Sequence, residues 1–215
     1  MLSNHIDQYM ELELTGNIYE AGILIEANSD IIVLYTGKVY RYIPFKHIKN
    51  FSFPMIDEEI GSGEVPEIDE TSFRKLLMNA KGMFVEIMLT KKDSVHGYIV
   101  GIMNNYFVFY SPVFKTMFIS MDHLKWLSVC DDVNGPYGLN KAEQLAQVST
   151  ISWARTLEEQ VKKLANKLVV LDLGMHPKNI GKISTVKNGI IEMADAHGEE
   201  IFVNMRHVKS FHFPQ

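Results

Sequence analysis

The chain has 215 residues, 47% of them hydrophobic and 22% charged, a globular composition that excludes a disordered tail, a collagen-like repeat and a disulfide-stapled miniature. Its one cysteine, Cys130, closes no internal disulfide, no run of about eighteen apolar residues is present to span a membrane, and residues 1–10 lack the basic start and apolar stretch of a secretion signal. The net charge of −5 argues mildly against a nucleic-acid binder, yet Asp57, Glu58, Glu59, Glu64, Glu67, Asp69 and Glu70 fall in one base-free stretch, and without it the chain carries a slight excess of Lys and Arg.

In chain order, the period-two alternation over 10–14 predicts a half-buried strand. Residues 22–27 and 31–35 predict a hairpin around Asn28-Ser29-Asp30, and a fourth strand over about 40–45 follows the turn Thr36-Gly37-Lys38. Apolar positions then step by three (Phe45, Ile48, Phe51) before returning to two at Phe53. One helical turn around Lys46-His47-Ile48 therefore precedes a fifth strand, and Pro44 belongs where no ladder needs its missing N–H. Beyond an acidic, flexible linker, residues 72–80 read as a helix led by Asp69 and Glu70 and stopped before Gly82. The stretch 106–110 reads as a core strand prone to edge pairing if uncovered. Asp131-Asp132 opens a loop towards Gly135-Pro136. Residues 139–166 then read as a long helix, with Ala142, Leu145, Ala146, Trp153, Leu157, Val161 and Leu164 at three- and four-residue steps and Asn140 with Glu143 as its capping pair.

The stretch Ile43-Pro44-Phe45-Lys46-His47-Ile48-Lys49-Asn50-Phe51 recurs as Ile119-Ser120-Met121-Asp122-His123-Leu124-Lys125-Trp126-Leu127, and again as Val203-Asn204-Met205-Arg206-His207-Val208-Lys209-Ser210-Phe211. Gly22, Gly97 and Gly181 precede the three histidines by 25, 26 and 26 residues. Asn104-Asn105 and Asn188-Gly189 repeat the hairpin chemistry of Asn28-Ser29-Asp30. Two anchors at nearly constant spacing in three copies define an internal repeat over roughly 10–54, 83–129 and 167–214. The expected organisation is module 1 (1–54), the acidic linker (55–72), a helix plus module 2 (73–130), and a long helix plus module 3 (131–215). A module of this size buries little apolar area alone, so the modules are expected to pack on one another or on the helices.

Five short strands with one helical turn between the fourth and fifth resemble the Sm-like, or LSm, fold, in which a helix precedes five such strands. The resemblance implies a mainly β chain of three tandem five-stranded Sm-like or SH3-like small barrels joined by α-helices. Within the turn, Phe45-Lys46-His47 resembles the Tyr-Lys-His turn of the bacterial RNA-chaperone branch of Sm proteins, where Lys and His line a uridine pocket. Position by position, this implies nucleic-acid-binding roles for Lys46, His47, Arg206 and His207. Asp122 departs from the pattern in the second module, where an acid repels phosphate. The competing reading makes His47, His123 and His207, with Lys49, Lys125 and Lys209, structural: a turn histidine satisfies nearby backbone with one ring nitrogen and packs on the neighbouring module. Three related histidines would suit a metal only with recurring Cys or carboxylate partners, and none recurs; no metal or cofactor is expected.

The longer pattern of Gly22, Asp30, Tyr42-Ile43-Pro44 and His47-Ile48-Lys49 resembles a group of uncharacterised Bacillus proteins, some associated with the spore coat. Ser120 and Asn204 replace the proline in the other two modules. That resemblance implies a structural role. Catalytic signatures are missing: there is no phosphate-cradling GxxxxGK[ST] or GxGxxG, Gly61-Ser62-Gly63 lies in the linker, and a lone thiol such as Cys130 reads as a buried small hydrophobe. The expectation is a non-enzymatic assembly protein, cytoplasmic or spore-associated and without a membrane segment. Self-association through edge strands would give a dimer forming a six-module ring, or a compact monomer, with other coat or assembly proteins as further partners. The alternative is an RNA-binding protein using the basic and histidine turns.

Overall fold

The N-terminal alternation becomes β1 (Tyr9–Leu14), whose Met10, Leu12 and Leu14 are buried while Glu11 is exposed. The computed structural model describes residues 2–55, 72–91, 93–130, 136–138 and 152–214. The acidic linker apart from its two end residues, Asp131-Asp132 and the Asn140–Glu143 capping pair lie outside the described residues. Strands β2 (Ile18–Ala27), β3 (Ile31–Tyr35), β4 (Tyr40–Pro44) and β5 (Ile48–Ser52) complete a first set, with a helical turn at Phe45–His47. Helix α1 (Phe73–Asn79) starts at Ser72, whose side chain accepts the Lys75 N–H. A second set follows: β6 (Phe84–Thr90), β7 (Asp93–Ile102), β8 (Tyr106–Ser111), β9 (Lys115–Ser120) and β10 (Trp126–Val129). Helix α2 (Leu157–Lys162) leads into β11 (Leu168–Leu171), β12 (Ile180–Lys187), β13 (Ile190–Ala194), β14 (Glu200–Asn204) and β15 (Ser210–His212). The fold is mainly β, antiparallel in every pairing described, with few helices. No helix among the described residues is long and apolar enough to cross a membrane.

Two compact units divide the chain. The first comprises residues 1–96 and 124–136, the second 97–123 and 137–215. The first and third sets share one strand order, β5-β1-β2-β3-β4 and β15-β11-β12-β13-β14. The second set, β10-β6-β7-β8-β9, is shared out: β6, β10 and the start of β7 belong to the first unit, and the rest of β7 with β8 and β9 to the second. Within the first unit β4 pairs with β10, Tyr42 opposite Leu127. Within the second, β9 pairs with β15, Phe118 opposite Phe211.

The repeated glycines have one physical cause. A Cβ on Gly22, Gly97 or Gly181 would fall closer than 3.0 Å to the carbonyl oxygen of Tyr35, Tyr110 or Ala194 on the adjoining strand. Two residues later the ladder shifts register in every set, at Leu24/Glu26, Ile99/Gly101 and Ile183/Thr185. Glycine thus admits the close strand approach that precedes a bulge, and the bulge bends the long second strand. The Asn28 hairpin forms as its sequence predicts, with Asn28 Oδ1 accepting the N–H groups of Asp30 and Ile31 at 2.8 and 2.9 Å.

Each unit has its own core. In the first, Met10, Leu14, Leu24, Ile32 and Ile43 close on Trp126. In the second, Tyr106, Val108 and Phe118 of β8 and β9 pack with Leu157 and Val161 of α2 and with Val169, Ile183 and Phe211.

Two expectations need correction. Residues 152–155 are not helical, and α2 begins only at Leu157, behind a capping box in which Thr156 and Glu159 exchange side-chain-to-backbone hydrogen bonds. Polar bonds hold the preceding stretch extended. The Tyr106 hydroxyl donates to the Ala154 carbonyl at 2.7 Å, and Gln160 Oε1 accepts the Ala154 N–H at 2.6 Å. Trp153 meets the helical period without being helical because its ring lies over Gly101, where a Cβ would collide with it. Cys130 is half-buried rather than buried: it lies just past β10, its N–H donating to the Phe84 carbonyl at 3.0 Å.

Candidate functional site

The repeated turns rest on the repeated hairpins. The N–H groups of Phe45, Met121 and Met205 donate to the carbonyls of Asp30, Asn105 and Gly189 at 2.8, 3.0 and 2.9 Å. This is why an Asn- or Gly-type hairpin and a Phe/Met-x-His turn recur together: each turn is pinned by a bond to its own hairpin.

The histidines diverge. His47 is 6% exposed, with Nδ1 3.1 Å from Thr15 Oγ1 and 3.2 Å from Lys125 Nζ. Lys125, 8% exposed, also donates to Thr15 Oγ1 at 2.7 Å, so the histidine of one repeat and the lysine of the next meet in the first unit. His123 is half-buried, and its Nε2 lies 2.9 Å from the Arg206 carbonyl oxygen, to which it donates. His207 is exposed. The lysines diverge as well. Lys49 is exposed and pairs with Glu13, whose carboxyl is held below its usual range by hydrogen bonds from Lys49 and then Asn50. Asp172 accepts the N–H groups of Lys209 and Ser210 at 2.7 and 3.1 Å and the Lys209 ammonium at 3.2 Å.

Of the nucleic-acid candidates, Lys46 is exposed with Nζ 5.9 Å from the Phe73 ring centre, and His47 lies in the interior just described. Arg206 and His207 are exposed. Arg206 lines a pocket of about 740 Å³ in the second unit with His123, Asp122, Glu158, Asn105 and Asn204. Two carboxylates thus accompany the guanidinium, an arrangement better matched to a mixed polar group than to a phosphate chain. Among the described residues, no group of three or more His, Cys, Asp or Glu side chains could hold a metal ion.

Sequence reading missed a charged cluster in the first unit. Glu20, 7% exposed, forms an ion pair with Arg41 and accepts the Trp126 Nε1–H at 2.8 Å, while the Arg41 guanidinium lies 4.5 Å from the Trp126 ring centre. Burial lowers the Arg41 pKa from its usual value. The signal was present: alternation from buried Ile18 through exposed Tyr19 puts Glu20 on the inward face. Asn105 was read only as a turn residue, yet its Oδ1 also accepts the Leu157 N–H at 2.9 Å and so caps α2.

These features define a mainly β protein of three tandem five-strand repeats whose repeated polar residues chiefly serve turns and strand joints. Residues 156–211, from the cap of α2 to β15, match the family model described as the YwrJ third domain. Over 225 aligned positions the chain is 34% identical to the Bacillus subtilis (strain 168) protein named Uncharacterized protein YwrJ, covering 99% of each. The chain belongs to the YwrJ family.

Proposed function

We propose that this protein is a non-enzymatic assembly protein, built of three Sm-like modules that join edge strand to edge strand. The carrying observation is a joint made twice at one register: the residue opposite Tyr42 on β4 is Leu127, the residue opposite Phe118 on β9 is Phe211, and both pairs occupy equivalent positions of the repeat. Fourth-type strands receive fifth-type strands, completing backbone hydrogen bonding that an open edge leaves unmet. The resemblance of Gly22, Asp30, Tyr42-Ile43-Pro44 and His47-Ile48-Lys49 to uncharacterised Bacillus proteins, some of them associated with the spore coat, favours a cytoplasmic or spore-associated setting.

Sedimentation velocity across a wide concentration range tests the assembly role, with self-association expected. A strictly monomeric species at the highest concentration would count against it. Fractionation of purified spores with an antibody to the chain tests the setting.

A second reading, RNA binding, draws support from His123 and Arg206 sharing one pocket. Fluorescence anisotropy with a labelled uridine-rich oligomer at low salt, where phosphate contacts are strongest, decides it: absence of binding removes this reading.

A further inference from the structure

The two joints within the chain leave two complementary edges over. In the order of strands, β14 and β5 are terminal, each hydrogen-bonded on one side only among the described residues. β14 is the fourth-type strand of the last repeat and β5 the fifth-type strand of the first, the two kinds that pair at each internal joint.

Exposure follows occupancy. At the first key position Tyr42 is 1% exposed and Phe118 0%, while their equivalent Phe202 on β14 is 64% exposed. At the second, Leu127 and Phe211 are 0% exposed, while their equivalent Phe51 on β5 is 36% exposed. A solvent-facing phenylalanine on β14, a terminal strand that carries no lysine or proline, is the opposite of how proteins protect an edge they mean to leave free; β5 does carry Lys49, which pairs with Glu13 of the adjoining β1. The turn histidines agree: His47 and His123 lie against the following repeat's lysine or backbone, whereas His207 of the third repeat is exposed.

We propose that β14 of one copy pairs antiparallel with β5 of a second copy, in the register of the internal joints, with Phe202 opposite the second copy's Phe51. This rests on the assembly role above and adds the partner, the strands and the register. The neighbouring pairs follow from β9 and β15, where Ile119 faces Ser210 and Met117 faces His212: Val203 faces Asn50, and Ile201 faces Ser52. Asn204 also fits. Its equivalent Ser120 donates its N–H to the Lys209 carbonyl at 2.9 Å, so the Asn204 N–H meets the second copy's Lys49 carbonyl. Pro44, the equivalent at the first joint, has no N–H to give. The contact is heterologous, one surface of a copy meeting a different surface of the next, and two copies exchanging both edges leave none open.

The test mixes two differently tagged full-length chains in a Cys130→Ser background, one carrying Phe51→Cys and the other Phe202→Cys. Facing residues of an antiparallel pair have Cα atoms about 4.5–5.5 Å apart, within disulfide reach. Under mild oxidation the mixture is expected to give a disulfide-linked product holding both tags, with neither chain crosslinking alone. Crosslinking of the Phe202→Cys chain by itself would overturn the proposal in favour of β14 against β14. Self-association of the wild type without the mixed crosslink would overturn the pairing and leave the assembly role standing, whereas a wild type that never associates would overturn both. As a second measurement, Phe202→Arg, at an exposed position, is expected to fold by circular dichroism and lose self-association. Its unchanged sedimentation would also overturn the proposal.

Discussion

The rings of Phe118 and Phe211 stack across the joint between β9 and β15, centroids 4.7 Å apart and 11° from parallel. Both side chains are fully buried, so this pair joins two repeats through the core of the second unit. Phe211→Ala is expected to cost about 3–5 kcal/mol. Combined with Phe118→Ala it should reveal a coupling of about 0.5–1.5 kcal/mol attributable to the stacked geometry. A double-mutant cycle by urea unfolding measures both, and additive losses would show that the rings merely share a core.

The first joint relies on charge where the second relies on stacking. Glu20 serves Arg41 and Trp126 together in a nearly dry position. Glu20→Ala leaves a partly buried guanidinium without its carboxylate and is expected to destabilise the first unit by about 3–5 kcal/mol. Adding Arg41→Met to that variant should recover part of the loss. Thermal unfolding of the single and double variants is the check, and a harmless Glu20→Ala would reduce the cluster to surface decoration.

The three glycines make a matched set. Ala at 22, 97 or 181 forces a methyl group against a backbone carbonyl, and each substitution is expected to cost about 1–3 kcal/mol. Similar losses in all three, measured by chemical denaturation, are the sign of a shared cause. A tolerated Gly181→Ala beside a damaging Gly22→Ala would break the equivalence of the bulges.

Acid should loosen β15. Burial lowers the pKa of His212 from 6.5, so the unfolded chain takes up this proton more readily than the folded one. The contribution of neutral, buried His212 is complete above pH 6.5 and declines as the pH falls from there towards the lowered folded value. Hydrogen exchange of the β9 and β15 amides, followed between pH 7.5 and pH 5 (about two and a half units, spanning the ordinary histidine range), should accelerate on the acid side beyond its intrinsic pH dependence. His212→Phe should remove that extra acceleration.

Much of this architecture was legible in the residues. The spacing of Gly22, Gly97 and Gly181 from the three histidines marked the repeat, and alternation with Asn-rich turns marked the hairpins, because period and turn chemistry are local properties. The 139–166 pattern misled at its described end for the complementary reason. Trp153 and Ala154 are held by Gly101 and Tyr106, partners far away in sequence that spacing within the segment does not reveal, and by Gln160, whose side-chain bond to the Ala154 N–H apolar spacing does not register. The fate of the repeated histidines was illegible on the same grounds. His47, His123 and His207 occupy one place in the repeat, and what distinguishes them is whether a later repeat supplies a lysine, a carbonyl or nothing described to meet them. Glu20 was legible in principle through its phase with Ile18, but its partners lie on β4 and β10.

The second repeat owns no compact unit, since its strands are divided between the two. The sequence repeats and the compact units are therefore cut along different lines. Duplication copied a segment of about 45 residues, yet the first compact unit includes β6, β10 and the start of β7 from the second copy. An excised middle repeat would lose partners at both ends. Covalent linkage within the chain fixes the order of repeats that separate copies would have to find by collision.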